Sequence, residues 1–389
     1  GLSCARELLR RGLQCDVFDT GEHGPGGRLG TRGSGDGSLT GFRGPKRVLE
    51  APGLGFDHAA QFWTAGAPAF RDRLAQWQRQ GLVKRWSGPV GALDCATGGV
   101  SPWGEPGQPR YVAAAGMRHL AAALARELEA SEDFSLRRPC WVSSMAACRE
   151  GWELHGPRGS RLGVWDLVVI AHNGKCANRL VSRSGVRDVH RQLCRLKLSS
   201  LWVLLVAAPR GSVVLPQGLE GAFCSGSVLS WACNNTKKLG LEGEYECWTL
   251  ISTPQYGKAN KVPQENVPPA VAEKVRDEMW DELLRTPGVR CDAAWPDLAW
   301  RAQLWGAALP LNSPRTPYIL NAEARLAVCG DWLTGAAVQD AVLSGAAAAE
   351  AIASERLHDH GLHSKFRPLQ EGAAIGEFPA PAFTPADAL

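Results

Sequence analysis

The sequence has no apolar run that reaches the ~18 residues a membrane-spanning helix needs. Its longest, from Leu201 to Ala208, suits a buried strand. Its twelve cysteines form no CxxC pair and no Cys/His cluster at zinc spacing. No metal site is therefore expected, and buried, reduced thiols of an intracellular protein are. There is no basic stripe: a net charge of +4 over 389 residues carries no nucleic-acid footprint. No Ser/His/Asp nucleophile pattern is present, so His58 and His172 are expected to be structural. Tyrosine is scarce, with four in the chain, which makes a tyrosine cage around an amine nitrogen hard to build. Internal repeats are absent. So are an initiator methionine and a secretory leader, which leaves targeting unreadable and an intracellular setting, cytoplasmic or organellar, as the expectation.

What is there is ordinary globular material, 44% hydrophobic and 21% charged, long enough for two or three folding units. Fifteen tryptophans supply core and candidate pocket walls for a flat ligand. Helical spacing appears over residues 2–11, stopped by Gly12, over 67–80, over 116–130, over 268–285 and over 336–354. Short strands are expected at 15–19, 165–171 and 325–331, with a hairpin across 141–155. The middle differs: 196–207, 213–215, 223–233 and 246–252 read as consecutive strands of an antiparallel sheet. From about Gly361 the chain is rich in Pro and Ala and reads as a flexible tail.

Three stretches carry chemistry. "GLSCARELLRRGLQCDVFDT" is a helix followed by a strand ending in Asp19. A dinucleotide site needs glycines at a strand-to-helix turn, and an acid about 20 residues on for the ribose hydroxyls. Here Gly1 stands where the third glycine of GxGxxG would, and Asp19 where the acid would. The strand and the first two glycines of such a motif are not in the sequence, so an N-terminal truncation that weakens cofactor binding is expected. "GPGGRLGTR" follows, with Gly26 and Gly27 able to run close to a pyrophosphate and Arg28 able to pair with an anionic oxygen. "LAVCGDWLTGAAVQDAVLSGAAAAEAI" puts Gly330 and Asp331 at the end of a strand, with Trp332 next and Val338 near the start of the final helix. A carboxylate there suits a ribityl hydroxyl, and a helix N-terminus suits the pyrimidine edge of a flavin.

Together with "FDHAAQFWTA", "WQRQGLVKRWSG", "YVAAAGMRHLAAALA" and "DLVVIA", in that serial order, these stretches resemble the flavin amine oxidase superfamily, and within it the bacterial-type renalase branch, over residues 1 to 355. The resemblance implies an α/β fold: a discontinuous Rossmann-like FAD-binding domain with an inserted α+β substrate domain built on an antiparallel sheet. Its expected parts are residues 1–66, 136–185 and 316–356 for FAD, 67–135 and 186–315 for substrate, and a tail from 357 to 389. It implies non-covalent FAD held by Gly1, Asp19, Gly26, Gly27, Arg28, Gln61, Gly330, Asp331, Trp332 and Val338. Gln61, Trp63 and Trp305 would line the catalytic pocket, with Phe62 shaping it, and Trp300 and Arg301 would lie nearby.

The implied reaction is hydride transfer from dihydronicotinamide isomers to flavin, with dioxygen as acceptor and hydrogen peroxide as product. A small-molecule substrate and dioxygen are the only partners implied. An amine or carotenoid-type oxidoreductase on the same fold is the alternative, and a flavin-fold protein without catalysis a third reading. Two departures from the family bear on substrate and potential: Phe62 stands where a tyrosine is usual, and Gln339-Asp340-Ala341 replaces a Glu-Gly-Ala run. A carboxylate at Asp340 would disfavour a reduced flavin anion unless it points away.

Overall fold

The fold is taken from a computed structural model that describes residues 1–354 and 357–369. Its centre is a seven-stranded sheet running, edge to edge, through Ala299–Trp305, Leu201–Pro209, Tyr245–Ser252, Leu229–Asn234, Gly221–Cys224, Val90–Leu93 and Val100–Pro102. All neighbours are antiparallel except the Gly221–Cys224 and Val90–Leu93 pair. The Leu201–Pro209 strand explains why the apolar run is continuous. Leu201, Val203, Leu205 and Ala207 point into one core, while Trp202, Leu204, Val206 and Ala208 point into a second. A strand buried on both faces needs apolar residues at every position, because successive side chains alternate sides. The first core is closed by the helices Pro68–Arg79 and Met117–Glu129, through Phe70, Leu74, Trp77, Met117 and Leu120. The second is closed by the helix Pro269–Arg285 through Val275, Met279, Trp280 and Leu283.

Beside this sheet lies a set of short parallel strands. Cys15–Phe18 pairs with Phe134–Arg137, and Val168–Ile170 pairs with Leu326–Cys329, which also takes Tyr318–Asn321 antiparallel on its other edge. The two sets form separate sheets, and the described residues place no strand between Cys15–Phe18 and Val168–Ile170. They share neighbours nonetheless. The first helix, Leu2–Leu9, covers one face, where Cys15 and Val169 pack on a cluster of Cys4, Leu8 and Cys329. On the other face Phe18 meets Trp165 edge-on at 5.2 Å, and the Trp165 indole donates to Asp16 at 2.8 Å. The final helix, Val338–Ile352, crosses the first so closely that a Cβ on Gly345 would lie 3.0 Å from the Cys4 nitrogen. No helix of the described residues is long and apolar enough to cross a membrane.

Several expected elements divide or shift. Residues 223–233 hold two strands, because Ser225-Gly226-Ser227 turns and the Glu282 carboxylate takes the amides of Ser227 and Val228 at 2.9 and 3.0 Å. Residues 165–171 divide likewise: Arg161–Trp165 belongs to an antiparallel meander with Trp152–His155 and Ser144–Ala147, and only Val168–Ile170 joins the parallel set. Residues 357–369 are not an extension. His360 exchanges both backbone hydrogen bonds with Leu320 at 2.9 Å, Leu362 is buried, and Arg367–Pro368 pairs with Asn312–Ser313. An irregular segment held by backbone pairs leaves no periodic apolar signal. The rest of the expected tail lies outside the described residues. The thiols are all free, but only Cys4, Cys224, Cys233, Cys247 and Cys329 are buried, and Cys176 and Cys194 are exposed.

One ion pair fastens the seven-stranded sheet to the elements around it. Asp57 ends the Gly55–Asp57 strand, and Lys238 sits in the short helix Asn235–Leu239. Both side chains are fully buried, with Nζ 2.9 Å from Oδ2. The other Asp57 oxygen accepts from Thr31 Oγ1 at 2.6 Å and from the Met117 amide at 2.9 Å, at the start of the Met117–Glu129 helix, whose positive end favours an anion. Lys238 also donates to the Gln61 carbonyl at 3.1 Å. Removing one partner of a buried pair strands the other charge, at about 3–5 kcal/mol. Lys238→Met is therefore expected to lower unfolding free energy by about that much. Adding Asp57→Asn should cost less than the sum of the two single changes. Denaturant titration of the three variants checks this, and strict additivity would show that the pair is not coupled.

Candidate functional site

The parallel strands all end at one edge, and open α/β sheets bind ligands outside the carboxyl ends of their strands. Asp19 follows the Cys15–Phe18 strand, His172 follows Val168–Ile170, and Asp331 follows Leu326–Cys329. Gly1 caps the first helix beside them; a Cβ there would lie 3.3 Å from the Ala171 Cβ, so the position is tight against the strand end. His172 is held below its ordinary pKa, chiefly by burial, with the charge of Asp19 opposing. Asp19 and His172 are thus close enough for the carboxylate to act on the imidazole. Asp19 Oδ1 accepts from the Gly21 amide at 2.7 Å and is otherwise open. Asn173 caps the helix Gly174–Val181 with its Oδ1 and reaches the Ala307 carbonyl with its Nδ2 at 2.8 Å.

Gly26 and Gly27 turn the chain across this edge with φ of 111° and 55°. A Cβ on Gly26 would strike Ala121 at 2.6 Å, so the turn lies directly on the Met117–Glu129 helix, while Gly27 faces open space. The next residue, Arg28, forms a fork on Asp331, with Nη2 2.5 and 2.6 Å from its two oxygens, and donates from Nη1 to the Ala308 carbonyl at 3.0 Å. Gly330 is extended, and its amide donates to Ser344 Oγ on the final helix at 2.8 Å. Trp332 is buried against Gly330 and Gly174 with its indole N–H unpartnered. Val338 begins the final helix.

The N-terminus of that helix is already served. Asp340 accepts from the Ala337 amide at 2.9 Å and from Thr334 Oγ1 at 3.2 Å. Burial, aided by the charge of Asp331, raises its pKa to about 6 against the pull of these donors. The carboxylate expected to trouble a reduced flavin is turned back on its own helix.

Gln61 and Trp63 do not stand at this edge. Both are fully buried in the first core. The Gln61 amide donates to the carbonyls of Asp57 and Ala59 at 2.8 and 3.0 Å and accepts from the Trp231 indole at 3.2 Å, so both its donors are spent inside the protein. Trp63 bridges to Tyr111 through its backbone. Phe62 is enclosed by Trp86, Trp103, Phe223 and Trp231. The pocket role of Gln61, Phe62 and Trp63 is what the family resemblance implies; in this fold the same segment builds a core network. Trp300 turns away as well: it packs in the second core, under Arg276, while Arg301 and Trp305, one and five positions on, face the opposite side.

Trp305 is where a pocket wall was expected. Its indole donates to the His58 carbonyl at 3.1 Å, and its ring stacks on the His58 imidazole at 5.7 Å and 8°. Arg32 and Gln303 stand beside them, joined at 3.2 Å. Sequence reading missed Arg32, Arg118 and Gln303. The alternation of Arg301, Gln303 and Trp305 along one strand was the signal available for Gln303. Burial, then the charges of Arg32 and Arg301, push the His58 pKa down to about 3, so its imidazole is neutral at physiological pH.

No protein-family model matches the chain. Among solved structures, cyclohexylamine oxidase from Brevibacterium oxydans superposes with a TM-score of 0.58 at 13% identity, covering 90% of this chain and 96% of that one. Wild-type putrescine oxidase bound to putrescine gives 0.53 at 13% identity, covering 90% and 95%. At this identity the likeness establishes a shared fold, a mixed α/β architecture with a large mixed sheet.

His58 gives a pH dependence. Its folded pKa lies below the unfolded value, so between about 3 and 6.5 the unfolded chain binds the extra proton. The stability it contributes is present above pH 6.5 and is lost as pH falls toward 3, at up to about 1.4 kcal/mol per pH unit. His58→Gln should flatten the slope of unfolding free energy between pH 7 and 4; an unchanged slope would mean that another group carries it.

Proposed function

We propose that the chain is an FAD-dependent oxidoreductase. The observation that carries this reading is the gathering of Asp19, the Gly26–Gly27 turn, Arg28 and Asp331 at the carboxyl ends of parallel strands. The fold it shares with two amine oxidases supports it. The donor set suits the cofactor. Asp19 has acceptor capacity for ribose hydroxyls and Asp331 for the ribityl chain, Gly27 offers a backbone with nothing over it, and Trp332 keeps an unpartnered indole N–H beside Gly330. Arg28 can trade its hold on Asp331 for a pyrophosphate oxygen, since its fork fits either anion. Residues 1–66, 136–185 and 316–356 would carry this site, and 67–135 and 186–315 the substrate side. Among the described residues the facing edges of Cys15–Phe18 and Val168–Ile170 pair with no strand.

Bound FAD supplies the two-electron acceptor and the site at which dioxygen is reduced to hydrogen peroxide. The chain's own groups do the rest. Asp340 holds the first turn of the final helix and offsets its positive end. Neutral His58, stacked on Trp305, offers a flat wall that takes up no proton near neutrality. Hydride transfer needs geometry and dryness rather than an acid/base pair, which matches a site with no ionised base at its wall. The substrate reading is a dihydronicotinamide isomer or a similar small reduced molecule. The alternative, an amine, draws on the fold likeness.

Purified protein should show the visible bands of oxidised flavin. Arg28→Ala and Asp19→Ala should each weaken FAD binding about tenfold or more, as loss of a charge-assisted hydrogen bond implies. Anaerobic mixing with dihydronicotinamide isomers should bleach the bands; a flavin-free protein after FAD supplementation, or bleaching by amines alone, would refute the corresponding part of the reading.

A further inference from the structure

Arg32, on the Thr31–Gly33 strand, and Arg301, on the Ala299–Trp305 strand, form a cation pair that the fold does not neutralise. Both are half-buried, beside His58 and Trp305. Arg32 donates to the Ser38 carbonyl at 2.8 Å and to Gln303 Oε1 at 3.2 Å, while its Nε is buried without a partner. Arg301 donates to the Thr40 carbonyl, and a Cβ on Gly41 would lie 2.8 Å from its Nη1, so the loop presses on the guanidinium. A third arginine, Arg118, pairs with Asp36 through one nitrogen and leaves the other buried and unpartnered. Among the described residues neither Arg32 nor Arg301 has a carboxylate within ion-pair distance, although Arg28, Arg43 and Arg47 nearby each have one.

A guanidinium carries five donors in a fixed fork, and a partly buried cation without an anion costs desolvation that two carbonyls repay only in part. We propose that Arg32 and Arg301 form an anion subsite, which takes the carboxylate or phosphate of a planar substrate whose ring lies by Trp305. This rests on the oxidoreductase reading for calling the ligand a substrate. It also sets the substrate class: an ammonium ion would meet two like charges at the same wall, and neutral His58 gives it no counter-charge. Burial and the neighbouring arginines lower the Arg32 pKa to about 10, the mark of cations held together without an anion. The register supports the placement. Arg301, Gln303 and Trp305 lie opposite Leu205, Val203 and Leu201, so the arginine rises from an apolar floor where an anion bond is little weakened by water.

Four ligands with one ring test it on the full chain with FAD added: benzoate, phenyl phosphate, benzamide and benzylamine. Binding is read by tryptophan fluorescence and by shifts of the visible flavin bands. The anions should bind at least about tenfold more tightly than benzamide, with benzylamine weakest; the tighter of the two anions identifies the carboxylate or the phosphate as the natural group. Arg301→Gln should remove the preference, and Arg301→Lys should keep part of it. If Arg301→Gln does not fold, raising NaCl from about 50 to about 500 mM should weaken benzoate and leave benzamide unchanged. Equal affinity for benzoate and benzamide, tighter binding of benzylamine, or a preference untouched by Arg301→Gln would overturn the proposal. A protein without flavin bands would defeat the oxidoreductase reading, while the fluorescence titration would still decide the anion subsite.

Discussion

The buried pair between Asp57 and Lys238 is the constraint on which the arrangement of the molecule rests. Its atoms reach into five elements, the Thr31–Gly33 strand among them through the Thr31 hydroxyl. Asp57 belongs to a short strand, takes the amide of Met117 at a helix start, and pairs with a lysine from the helix Asn235–Leu239, while its own carbonyl is held by Thr249 from the central sheet at 3.0 Å. Gln61 and Asn235 complete the network, each spending its amide on a neighbour. Apolar packing alone would let these elements slide by a residue at small cost. A charge pair sealed from solvent has one satisfactory geometry, and it fixes how the glycine loop from 24 to 44 lies across the sheet.

That fixed relation explains which parts could be read from the amino acids. The strand through Leu201 is visible because burial on both faces demands an unbroken apolar run, and the final helix because alanine and small residues repeat at helical spacing. Asp19, the Gly26–Gly27–Arg28 turn and Asp331 could be singled out in the sequence because the proposed nucleotide edge would need an acid, flexible backbone and a cation at the ends of successive strands. Gln61 and Trp63 show what a sequence leaves open: an amide and an indole are equally at home against a flat ligand and inside a core, and here they lie buried with Trp231 and Tyr111 as distant partners. Arg32 and Arg301 are far apart in sequence and each is unremarkable in its own strand; their meeting is a property of the sheet.

The site combines economies of charge that pull in different directions. At the strand-end edge Asp331 and Arg28 cancel each other, and Asp340 offsets the end of the helix that follows. At the Trp305 wall nothing cancels the arginines, and even the imidazole between them is kept uncharged. The molecule therefore presents a nearly neutral edge and, beside Trp305, a pair of positive charges without a counter-ion, a contrast made from the fold's own residues.

The break between Cys15–Phe18 and Val168–Ile170 has a consequence of another kind. Among the described residues no strand pairs with those two edges, whereas the Leu201–Pro209 strand is flanked on both sides. Opening free energies within one protein range from nearly zero to the full unfolding value. Isotope exchange in deuterated solvent would accordingly label the 15–18 and 168–170 segments within the time that the central sheet stays dark. The half of the chain built on these short parallel strands is thus expected to be the compliant half, its two rims exchanging ahead of the seven-stranded sheet.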